Sequence, residues 1–189
     1  SLKEEYKQTF AFIKKSKPFI VAIIILFSIF FLIGFFVPVP TYLMQMISDF
    51  VNELAMKTRE MSVIELIQFI FVNNIQVSFF GMILGFFFGL VPLTFAVING
   101  YILGVISFVS VQKAGIGILW RLLPHGIFEL PAVFISLGIG LRFGSLILKN
   151  KLKEFKSFFW DCIRTCLLVI IPLLLLAGVL EGKLLSFVG

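Results

Sequence analysis

Residues 19–37 read Phe-Ile-Val-Ala-Ile-Ile-Ile-Leu-Phe-Ser-Ile-Phe-Phe-Leu-Ile-Gly-Phe-Phe-Val, with no charged residue anywhere in the run. At 1.5 Å per residue, a helix of this length crosses a hydrocarbon core about 30 Å thick. A backbone in lipid satisfies its hydrogen bonds only as a helix or as a closed barrel. Barrel strands alternate polar and apolar positions, and this run does not, so the barrel is excluded. Pro18 suits the first turn of such a helix, where its missing N–H costs nothing, and Pro38 and Pro40 stop it. The fold class that follows is all-α, a polytopic transmembrane helical bundle.

The rest of the chain extends that reading. Of its 189 residues 60% are hydrophobic, 25 are Phe and only 14% are charged, with a mean hydropathy of +1.11. A soluble domain of this length would carry about a quarter charged residues. Four further apolar runs predict helices over about 75–98, 101–120, 126–148 and 163–180, giving about five crossings in a single integral membrane domain spanning 1–189. Pro92 and Pro172 predict kinks in the second and fifth helices, and Asn99-Gly100 predicts the turn between the second and third. The third is weak by membrane standards, with Gln112 and Lys113 inside it, and is expected to break near Gln112. The first run is too long for a signal-peptide core and no A-x-A site follows it, so it is expected to remain as an anchor.

Residues 41–74 read differently. Leu43, Met46, Ile47, Phe50, Val51 and Leu54 share one helical face, while Gln45, Ser48, Asp49, Asn52 and Glu53 take the other. Ser62 and Glu65 have capping-box spacing ahead of Ile64–Val72. The expectation is two short amphipathic helices on the membrane surface or capping the bundle.

The formal charge of +6 comes from two basic clusters, Lys3–Lys17 and Lys149–Lys156, each flanking an apolar run. That is a topology signal and not a nucleic-acid-binding stripe. The arm 1–17 holds five Lys and the 149–156 stretch four, whereas 41–74 holds two basic residues against four acids. Five crossings put both clusters on one side. The expected location is the cell membrane, with the N-terminus cytoplasmic and 41–74 and the C-terminus extracytoplasmic. Arg142 lies about two turns before Lys149 and is expected to snorkel toward the inner headgroups.

Gly81, Gly85 and Gly89 recur at four-residue spacing, a glycine-zipper pattern that makes a flat stripe where another helix can approach, in the same chain or in a homo-oligomer. Cys162 and Cys166 sit one turn apart with no further ligands beside them, and read as small apolar residues. Chemistry concentrates in residues 121–131, Arg-Leu-Leu-Pro-His-Gly-Ile-Phe-Glu-Leu-Pro. Ionisable groups in a membrane segment are costly and face the bundle interior or a water-filled cavity. His125 and Glu129 are one turn apart and could ligate a cation or carry a proton. Alternatively, Arg121, His125 and Glu129 lock one another and the carbonyls freed by Pro124 and Pro131. Catalysis is the weakest of the three readings. His-x3-Glu lacks the second histidine of a metallopeptidase, one His and one Glu leave a zinc short of ligands, and there is no phosphate loop. No catalytic residue and no cofactor are expected.

Residues 122–132, Leu-Leu-Pro-His-Gly-Ile-Phe-Glu-Leu-Pro-Ala, resemble the signature of the stage II sporulation protein M family. So does the upstream pattern of Asn74, Gly81, Gly85, Gly89, Pro92, Asn99-Gly100 and Gly104, and the resemblance runs from the first helix to the fifth. It implies a membrane protein of about five helices. In endospore-forming bacteria the namesake is a scaffold that recruits peptidoglycan-degrading enzymes to the septal membrane; the family also occurs in archaea and in non-sporulating bacteria. The sequence therefore reads as a non-enzymatic membrane scaffold whose partners are the bilayer, other copies of itself and other membrane proteins. The alternative is a small-solute or ion transporter with a polar path at Arg121, His125 and Glu129; against it, no internal repeat is found.

Glu129 separates the lock from the ion site. For a lock, Glu129→Gln should stay close to wild type in stability, and Glu129→Leu should lose about 1–3 kcal/mol by leaving a polar partner unpaired. A stoichiometric metal, lost on Glu129→Gln and on His125→Ala with melting unchanged, would establish the ion site instead.

Overall fold

The structure, a computed structural model, describes residues 1–188, with the side chains of all of these except 55, 120–125, 152 and 181–188. It is helical, with no strand among the described residues: α1 (Leu2–Phe36), α2 (Thr41–Thr58), α3 (Val63–Ile83), α4 (Leu90–Ala114), α5 (Leu123–Leu148), α6 (Phe155–Thr165) and α7 (Ile171–Val188). Five stretches are long and apolar enough to cross a membrane: Leu2–Phe36, Val63–Phe86, Leu90–Ala114, Gly126–Leu148 and Phe155–Leu180.

Several boundaries differ from the sequence expectation, each for a local reason. The basic residues 1–17 are no separate arm; they are the first turns of α1, and Pro18 lies inside that helix. Ile64–Val72 is no surface helix either. It is the first part of α3, opened by the expected capping box, in which Ser62 N–H donates to Glu65 Oε2 (2.8 Å) and Glu65 N–H to Ser62 Oγ (3.4 Å). The turn between the second and third spans is at 84–89 and not at Asn99-Gly100. A 3₁₀ turn (Leu84–Phe86) leads to Phe88 and Gly89, both with positive φ (53° and 76°), and the left-handed conformation suits glycine. Three consecutive phenylalanines conceal this turn in a hydropathy reading. Pro92 consequently sits in the first turn of α4 and produces no kink there, since its N–H would have had no helical partner. Asn99 is mid-helix, its Nδ2 donating to the Phe95 carbonyl at 2.7 Å.

The third span ends at Ala114, where Gly115 adopts φ +79°, and a 3₁₀ segment (Ile116–Leu122) leads into α5. The last span starts earlier than expected, at Phe155. A π-helical turn (Cys166–Ile170) precedes Pro172, whose ring would otherwise meet the Leu168 carbonyl.

α5 is the central helix. In its spanning stretch 56% of the residues are buried, against 33% or less in the other four. Its glycines let three neighbours approach to backbone contact. A Cβ on Gly138 would lie 2.6 Å from Ile20 Cα in α1; one on Gly140 would strike the Gly81 carbonyl of α3; one on Gly144 would strike the Phe88–Gly89 turn. A second backbone contact joins α1 to α4, which run parallel. Gly100 lies against the Phe27 carbonyl, Gly104 against that of Phe31, and Gly34 against that of Tyr101. Around α5, Met82, Ile139, Phe143, Phe158, Ile170 and Leu174 form one buried cluster, and Ile23, Ala96, Val133 and Leu137 another. Lipid tails are as apolar as these side chains, so dispersion at close range holds the helices together more than apolar burial does.

Gly85→Leu should therefore be strongly destabilising, because its Cβ meets the Gly140 carbonyl and no rotamer removes that clash. The expected loss is about 1–3 kcal/mol or more, seen as a lower melting temperature in detergent. Gly117→Leu, where no described residue lies within 4 Å of an added Cβ, should leave melting close to wild type. Equal melting of the two variants would contradict the packing.

Candidate functional site

The 121–131 segment straddles the junction of the 3₁₀ segment and the first turns of α5. Glu129 is partly buried, one turn beyond the His125 backbone, and Pro131 lies inside the helix. The side chains of Arg121, Pro124 and His125 lie outside the described residues. Among the described residues an added Cβ at Gly126 would touch only Leu130, at 3.4 Å. Among the described residues no three His, Cys, Asp or Glu side chains are grouped to hold a metal.

Gly81, Gly85 and Gly89 do not form a stripe on one continuous helix. Gly81 is in the last turns of α3, Gly85 in the 3₁₀ turn, and Gly89 is the left-handed residue that precedes α4. All three face α5 of the same chain, against Leu137, Gly140 and Leu141.

A cleft of about 730 Å³ lies between α2 and α3. Glu53 and Lys57 line it from α2, and Glu65, Gln68, Asn73 and Gln76 from α3. Those four α3 residues fall within one broad face of the helix, with Gln68 and Asn73 at its two margins. Gln68, Asn73 and Gln76 are exposed, and the Lys57 ammonium stands 5.1 Å from the centre of the Phe69 ring. Gln76 lies about 20 Å along the axis from the start of α3, close to the middle of the span. The short apolar segment 64–72 behind its capping box predicts a surface helix; the structure instead makes Glu65, Gln68, Asn73 and Gln76 the polar face of a crossing one. α2 leans on the body through Leu43 and buried Ile47, near Phe30 and Tyr101, while Tyr42, Met46 and Met56 are exposed.

Arg142 corrects another expectation. It packs inward between α1 and α6, where Nη1 donates to the Phe12 carbonyl (3.3 Å) and to Ser16 Oγ (3.0 Å). Arg164 ties the same elements together, pairing with Asp161 (2.7 Å) and Glu5 (3.3 Å) and donating to Gln8. Both basic clusters thus gather at one end of the bundle, as the parity of crossings required. Cys162 and Cys166 are free thiols buried in the core.

A bundle of five helices, each long and apolar enough to cross a membrane, defines a multi-pass helical membrane protein. The family model of stage II sporulation protein M matches residues 23–184, and the chain belongs to that family. No curated protein and no solved structure matches the chain.

Proposed function

We propose that this protein is a non-enzymatic membrane scaffold, self-associating or recruiting other membrane proteins, and that the polar face of α3 is where a partner helix docks. The observation that carries this reading is the exposure of Gln68, Asn73 and Gln76 on a membrane-crossing helix. Amide side chains left against lipid without partners cost several kcal/mol each. A polar helix–helix contact removes that cost and is itself worth about 0.6–2 kcal/mol. The glycines give no such support, because α5 of the same chain occupies them. A scaffold that gathers other membrane proteins also agrees with what the family resemblance implies.

The protein sits in the cell membrane with the α2 side extracytoplasmic and both basic clusters cytoplasmic. The rival reading keeps the cleft full of water, as part of a path for a small solute or ion that could continue to Arg121, His125 and Glu129. Its volume is what favours that rival.

Single cysteines placed in a Cys162→Ala, Cys166→Ala background and probed in intact cells with a membrane-impermeant thiol reagent test both points. Lys57→Cys should be labelled and Lys151→Cys should not; the reverse would invert the orientation. Gln76→Cys should be protected in membranes and become reactive once detergent disperses the assembly. Labelling of Gln76→Cys in cells as fast as Lys57→Cys would mean a water-filled path, and would replace the scaffold with the transporter.

A further inference from the structure

Arg142 lies at the edge of a cavity of about 350 Å³ where α1, α5 and α6 meet. Its guanidinium packs against two rings that are themselves in edge-to-face contact, 5.0 Å from the centre of Phe12 and 5.2 Å from that of Phe158. Among the described residues only Nη1 has acceptors, the Phe12 carbonyl and Ser16 Oγ, and Ser16 Oγ itself donates to the same carbonyl at 3.0 Å. No carboxylate stands within ion-pair distance of Arg142 among the described residues. The two nearest acids on the cavity wall are engaged elsewhere, Glu154 with Lys151 (3.5 Å) and Asp161 with Arg164 (2.7 Å). Lys15 lines the same cavity and enters no ion pair among the described residues. The site therefore offers two cations with no direct ion pair among the described residues, Arg142 and Lys15, beside two carboxylates already paired to Lys151 and Arg164 and beside Gln8 and Ser157 as neutral hydrogen-bonding groups.

Position points to the ligand. Phe12 and Ser16 lie within two turns of Pro18, at the level of α1 where Lys14, Lys15 and Lys17 give way to the apolar run. The Lys149–Lys156 stretch lies at the same end. This is the depth of phospholipid headgroups, and basic pockets between helices on the cytoplasmic side take anionic ones. A guanidinium fixed in advance, with a free edge, suits phosphate oxygens better than a flexible ammonium does.

We propose that this cavity binds the phosphate of an anionic phospholipid headgroup, with Arg142 and Lys15 as its ligands. The site is separate from the α2–α3 cleft and does not depend on the scaffold reading.

The test is lipid retention by native mass spectrometry from mixed micelles with equal phosphatidylglycerol and phosphatidylcholine. Wild-type protein should retain phosphatidylglycerol preferentially. Lys15→Gln, an exposed position that the fold does not need, should reduce that preference roughly fivefold, and Arg142→Gln by more. Lys57→Gln, basic but remote, should leave it unchanged. Added inorganic phosphate identifies the source. Retention of the lipid in its presence supports the headgroup, whereas displacement supports the phosphate site but assigns it to a soluble ester. Equal retention of the two lipids by wild type, or an equal loss on Lys15→Gln and Lys57→Gln, would overturn the proposal.

Discussion

Backbone-to-backbone approach at α5 is the constraint on which the rest of the bundle depends. Gly138 admits α1, Gly140 admits α3, and Gly144 admits the turn that joins α3 to α4. Because each contact removes the space for a single methyl group, the register of the helices is set to within about one residue. The phenylalanines then fill what remains, with Phe143 stacked on Phe158 at 4.9 Å and Phe12 edge-on to Phe158 at 5.0 Å. The chain thus uses glycine to fix register and phenylalanine to fill space, a division suited to a solvent that gives helices little hydrophobic reason to associate.

Two treatments of polar groups bear on function. Buried hydroxyls such as Ser16 and Ser136 return to carbonyls within their own helix, which neutralises them locally. The α3 amides and the Arg142–Lys15 pair have no such full local satisfaction, and both lie at openings of the bundle. The functional proposals rest on that contrast. One opening lies along a crossing helix and suits a partner helix; the other lies at headgroup depth and suits a phosphate.

The class of fold was legible in the run 19–37 alone, because length and the lack of alternation are direct consequences of lipid as solvent. The number of crossings and the grouping of the basic clusters were legible for the same reason. The turn at 84–89 was not, since Phe86, Phe87 and Phe88 keep hydropathy high through a change of direction and Asn99-Gly100 offers a stronger turn signal in the wrong place. Composition also concealed Arg142. Snorkelling and inward packing call for the same residue near a helix end, and only the position of Phe12 and Phe158 on other helices distinguishes them. Spacing alone could not say which helix the glycines meet.

Glycine-selective ¹³C labelling and solid-state NMR in lipid bilayers test the central packing most directly. The account predicts Cα–Cα correlations between Gly85 and Gly140 and between Gly89 and Gly144, pairs far apart in sequence but in backbone contact. A spectrum that resolves these residues and shows no correlation between α5 and the 81–89 segment would contradict it.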